Sequence, residues 1–119
     1  MASEPGAIPL VGETATVQIG DGDSKRWWAQ HPSPWVPPGA QSGEVAILPA
    51  SMSEKIATTV YGNIEVSFAV RLPVVPHQDV LNQAIPWLAQ YVAWGFASLK
   101  QKAVEEARAT VAMKNQGVL

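Results

Sequence analysis

The sequence predicts an α+β fold: an N-terminal hairpin and an antiparallel β-sheet, followed by two C-terminal helices. Three observations carry this. Residues 12–20 and 60–72 alternate apolar and polar side chains with the period of two that a half-buried strand requires. From Leu81 to Ala103 apolar residues recur at intervals of three and four, the stripe of a helix that docks on something. Prolines concentrate between these segments, where neither a helix nor a central strand tolerates them.

Residues 1–10, with Pro5, Gly6 and Pro9, read as an extended arm. In the first strand Ala15, Val17 and Ile19 share one face and Thr14, Thr16 and Gln18 the other. Asp21-Gly22-Asp23 signals a turn, and Lys25–Gln30 forms the returning strand. Residues 31–43 hold four prolines and two glycines, a polyproline-like connector flanked and occupied by Trp27, Trp28 and Trp35. A short apolar strand over 44–49 ends at Pro49. In the 60–72 strand Val60, Ile64, Val66, Phe68, Val70 and Leu72 form a face to be buried under helices. Tyr61, Asn63, Glu65, Ser67, Ala69 and Arg71 form a polar face. A hairpin turning at Gly62-Asn63 would pair Glu54 with Arg71 but set Val60 against Glu65, so one long strand is expected.

Pro73 and Pro76 end the sheet, and His77 or Gln78 opens a helix with Asp79 in its first turn, where a carboxylate suits the dipole. Pro86 belongs at the first position of a second helix, about 86–114, because inside a helix it removes a hydrogen bond and clashes with the preceding turn. That second helix is about 40 Å long at 1.5 Å per residue. It overhangs a domain of this size, whose radius of gyration should be about 13–14 Å. It is therefore expected to rest on another copy of the chain. Leu88, Val92, Phe96 and Leu99 of the stripe, with Trp87 and Trp94 seven apart on one face, are the expected dimer interface. Ala89, Ala93 and Ala97 form a row that permits close helix approach, and Lys102–Glu106 and Glu105–Arg108 are possible pairs beyond residue 100.

The chain of 119 residues is expected to be one domain: the arm, a β-rich part over 12–72 and a helical part over 77–115. Only 15% of residues are charged and 47% are apolar, leaving uncharged surface for partner copies to cover. A net charge of −2 argues against a strongly basic nucleic-acid binder but permits a cationic patch. No apolar run spans a bilayer, since Gln90, Ser98 and Lys100 interrupt the best one, and MASEPGAIPL lacks the features of a signal peptide. With no cysteine there is no disulfide and no thiolate chemistry, so the cytoplasm, or a particle assembled there, is the expected location. His31 and His77 have no metal-ligand spacing, no nucleophile elbow or phosphate loop is present, and Glu105-Glu106 diverge on a helix. No enzyme, metal or cofactor is expected.

Two features could take a ligand. Trp27-Trp28 with Lys25 and Arg26 reads first as core or interface packing and second as a base-stacking platform. The polar face of the 60–72 strand offers Tyr61 for stacking, the Asn63 amide, Glu65 as acceptor, and Arg71 with Lys55 as cations.

Tyr61-Gly62-Asn63-Ile64-Glu65-Val66-Ser67, the strand–proline–helix passage after it and the order of elements resemble the coat proteins of single-stranded RNA bacteriophages. The match covers roughly residues 60–100 and departs from the family in having too few strands before it. The resemblance implies helices interlocked across a homodimer, a shared sheet facing RNA, and closure of many dimers into an icosahedral shell, with the virion as location and Tyr61, Asn63 and Glu65 facing RNA. A second resemblance, to the neck and tail-terminator proteins of tailed phages, implies a ring instead, although their N-terminal helix is missing here. A homo-oligomeric interaction domain unrelated to viruses is the third reading.

Overall fold

The computed structural model describes residues 10–40, 42–58 and 62–116. The expected arm, except Leu10, and Val60 and Tyr61 lie outside them. The elements are β1 (Leu10–Ile19), β2 (Lys25–Pro32), a 3-10 turn (Ser42–Glu44), β3 (Ala46–Thr58), β4 (Gly62–Val74) and a single helix α1 (Gln78–Gln116). The strands form one antiparallel sheet in the order β2-β1-β4-β3, so the second hairpin inserts its later strand beside β1. The helix lies across one face.

The first hairpin forms as its sequence requires. Gly20 takes a positive φ of 58°, and its amide donates to the Asn63 carbonyl at 2.7 Å, tying the end of β1 to the start of β4. Gly22 donates to the Ile19 carbonyl at 3.1 Å, and the Gln18 amide reaches the Gly22 carbonyl at 2.9 Å. The Pro/Trp connector that follows is anchored. The buried Ser33 hydroxyl donates to the Pro73 carbonyl at 2.6 Å and accepts from the Trp35 amide at 3.1 Å, while Val75 donates to the Trp35 carbonyl.

The expected short strand and single long strand are replaced by a long hairpin. β3 continues through Pro49 to Thr58, and Thr58 pairs with Gly62, which has a φ of 79°. Pro49 is tolerated because β3 is an edge strand, where a missing amide breaks no interior ladder. Gly62 and Asn63 belong to β4 rather than to a turn, and the register sets Glu54 beside Val66 rather than Arg71. Pro73 does not stop β4, which runs to Val74: the β1 ladder has already ended at Arg71.

Two helices were expected and, among the described residues, one is found. Asp79 does sit in its first turn, and the Leu81 amide donates to the His77 carbonyl at 2.9 Å. Pro86, however, lies inside it. An interior proline costs about 3 kcal/mol. Here its ring and Asn82, whose carbonyl it frees, both face solvent, so water can satisfy that carbonyl. Packing on either side, through Ala84 and Leu88, holds the axis against the sheet.

The core lies between the helix and the even-numbered face of β4. Ile64, Val66, Val70, Leu72 and Val74 are buried with Val11 and Val17 of β1 and with Ala84, Leu88, Val92, Phe96, Ala103 and Ala107 of α1. Ala84 takes the place in the stripe expected of Ile85, which is exposed. Gly95 sets the depth of the contact. A methyl group there would stand 2.5 Å from the Phe68 ring, so the backbone of α1 rests directly on that ring. The expected small-residue row, Ala89, Ala93 and Ala97, points away from the sheet.

The result is long and thin. The 39-residue helix spans about 58 Å, the molecule measures 60 × 33 × 17 Å, and its radius of gyration is 18.6 Å. A compact domain of this length would have about 13–14 Å.

Candidate nucleic-acid interface

Strand alternation and register together define the face of the sheet opposite the helix. Residues directly across from one another point the same way. One row holds Arg26, Thr16, Ser67 and Ser53; the next holds Trp28, Thr14, Ala69 and Ser51. Gln18, Glu65 and Lys55 form a row at one end, and Gln30, Gly12, Arg71 and Pro49 at the other. Thr16, Gln18, Ser24, Ser53, Glu54, Lys55, Glu65, Val66 and Ser67 line a shallow depression of about 390 Å³. The strands place three cations on this face, Arg26, Lys55 and Arg71, against one carboxylate, Glu65. A chain of net charge −2 therefore concentrates positive charge here.

Of the RNA-facing residues expected from the sequence, Asn63, Glu65 and Lys55 come together. Lys55 and Glu65 are cross-strand partners with a 3.1 Å ion pair, exposed enough to contribute little to stability. Arg71 shares their face but lies six residues along β4, about 20 Å away at 3.3 Å per residue. Tyr61 is outside the described residues. Sequence reasoning did not join Trp28 and Arg26 to this surface; the pairing of β2 with β1 does so. The same alternation divides the Trp27-Trp28 pair: Trp28 looks out on the polar face, and Trp27 looks to the helix side.

On the helix side a polar group sits among aromatic rings. Tyr91 donates to Glu13, whose other oxygen is 3.1 Å from His31 Nε2. Burial, then the Glu13 hydrogen bond and charge, push the Tyr91 hydroxyl up to about 12. Trp87 stacks on Tyr91 at 5.0 Å and 7°, Trp94 lies tilted to Tyr91 at 6.3 Å, and Trp35 meets Trp87 edge-on. Further along, Lys25 of β2 pairs with Glu106, and Lys100 pairs with Glu54 at 2.9 Å. Between these contacts the inner face of β2 is left uncovered. A depression of about 380 Å³ opens there, lined by Ala15, Val17, Trp27, Leu99, Lys102, Ala103 and Glu106.

The residues expected at a dimer interface divide accordingly. Leu88, Val92 and Phe96 are buried against their own sheet, because the stripe matches the apolar face of β4 within the same chain. Trp87 and Leu99 are partly buried, and Trp94 is 68% exposed. Among the described residues no group of three or more His, Asp or Glu forms a metal site, and no helix is long and apolar enough to cross a membrane. Comparison with family models, with curated proteins and with solved structures found no match.

Proposed function

We propose that the chain is a non-catalytic coat subunit that dimerises and assembles into a closed shell around single-stranded RNA. The observation that carries this reading is the unequal treatment of the two sides of one thin sheet. On the helix side Trp27 and Trp94 remain exposed, with Trp27 on the uncovered inner face of β2. A second copy laid there would bury them and supply the core that a two-layer subunit 17 Å thick lacks. Trp94 and Leu99, which border that strip, are then the interface residues, and the 58 Å helix is long enough to interlock with its counterpart. On the other side the sheet keeps a polar, cationic surface that turns inward once copies close into a shell, where it meets phosphate.

Negative-stain images of the expressed protein test the assembly. Closed shells tens of nanometres across, with RNA that co-purifies and is released at high salt, are the expected result. Rings without nucleic acid would favour the neck or tail-terminator reading, and small oligomers a non-viral interaction domain. A stable monomer at micromolar concentration overturns all three.

A further inference from the structure

We propose that Trp28, between Arg26 and Arg71 on the polar face, is a base-stacking platform for single-stranded RNA, distinct from the Asn63–Glu65–Lys55 end of the sheet. This rests on the reading that the polar face meets RNA, and it adds a second point of contact to that face.

Four observations support it. Trp28 is 72% exposed, the most exposed of the large apolar side chains among the described residues. Trp35, Trp87 and Trp94 each contact another aromatic ring, whereas Trp28 contacts none among the described residues. Its cross-sheet row is completed by Thr14, Ala69 and Ser51, all small, so no bulky neighbour of that row crowds the space beside the indole. The setting is cationic: Arg26 is two residues along the same strand on the same face, and Arg71 lies in the adjoining row. Lys55 and Glu65 neutralise each other, but neither guanidinium has a carboxylate partner among the described residues.

An exposed ring flanked by free cations is how proteins hold single-stranded nucleic acid: bases stack on the ring and phosphates meet the charges. A neighbouring protein copy would have to bring carboxylates to Arg26 and Arg71 to cover the same surface. The charge balance of the face favours a polyanion. Thr14, Thr16, Ser53 and Ser67 add hydroxyls that can hydrogen-bond ribose.

The test is fluorescence anisotropy with a short fluorescein-labelled single-stranded RNA, at fixed low salt, on the intact protein and on Trp28→Ala, Trp28→Phe, Asn63→Ala and Lys55→Ala. Stacking is worth about 1–3 kcal/mol per base, so Trp28→Ala should weaken binding by roughly 5- to 150-fold. Trp28→Phe, which keeps a ring, should retain most of the affinity. Sedimentation of the RNA-free protein should be unchanged in both variants. If Asn63→Ala and Lys55→Ala lose affinity while Trp28→Ala does not, the platform is wrong and the RNA face stands. If the unmodified protein binds no RNA, the functional reading itself fails and takes the platform with it. A changed sedimentation pattern for RNA-free Trp28→Ala would assign the ring to a protein contact and overturn the proposal.

Discussion

Ile64, Val66, Val70 and Leu72 are each at most 2% exposed, whereas Asn63, Glu65 and Arg71, alternating with them along β4, lie in solvent. The two sets share a backbone, a ladder and a register, and differ only in which side of the sheet they occupy. The helix side supplies the burial that holds the chain folded. The open side contributes little to folding and is therefore free to carry charge, hydroxyls and an unpaired indole. Stability and recognition are assigned to opposite faces of one layer, so substitutions should separate into two classes.

The largest effect belongs to the buried face. Leu72→Ala should lose about 2–5 kcal/mol, read as a lower denaturant midpoint, because it opens a cavity beneath the helix. A loss below 1 kcal/mol would mean that α1 does not sit on β4 as described. Gly95→Ala comes next. Alanine favours a helix by about 1 kcal/mol over glycine, but its methyl meets the Phe68 ring, and overpacking costs about 1–3 kcal/mol. We expect a net loss of about 1 kcal/mol and a lower Tm; a rise in Tm would show that the ring moves aside freely.

Tyr91→Phe should act mainly on the alkaline limb. The folded hydroxyl titrates near 12 against 10 for the unfolded chain, so it is protonated more readily when folded. Its stabilisation is complete below pH 10 and is lost as pH rises through 12. Thermal melts of the wild type should fall across that window more steeply than those of Tyr91→Phe. Parallel curves would remove the hydroxyl from the contact between the helix and the first hairpin. The smallest effect belongs to the open face: Lys55→Ala should change stability by no more than about 0.5 kcal/mol, since its ion pair with Glu65 is exposed. A larger loss would end the division between the faces.

Much of this was legible in the residues. The alternation in 12–20 and 60–72 placed the strands and named their buried sides, and Asp79 marked the helix start. The candidate surface was half legible: Asn63, Glu65, Arg71 and Lys55 were read as one ligand surface and Trp27-Trp28 with Lys25 and Arg26 as a separate stacking candidate, but nothing joined Trp28 and Arg26 to the first, because β2 is exposed on both sides and no apolar row marks which of its residues look inward. The hairpin of β3 and β4 was weighed and set aside because a turn at Gly62-Asn63 puts Val60 against Glu65, and because Pro49 read as a strand end; the actual register pairs Thr58 with Gly62, and an edge strand tolerates the proline.

By itself the sequence determined the periodicities, and with them which residues could share a face. Local steric rules and side-chain alternation act over a few residues, so they are written there. Only the tertiary structure decided that Pro86 stays inside one helix, that Leu88, Val92 and Phe96 serve their own sheet, and that Trp27 and Trp28 part company. Those outcomes depend on which apolar surfaces meet, and that is settled by contacts between residues far apart in the chain.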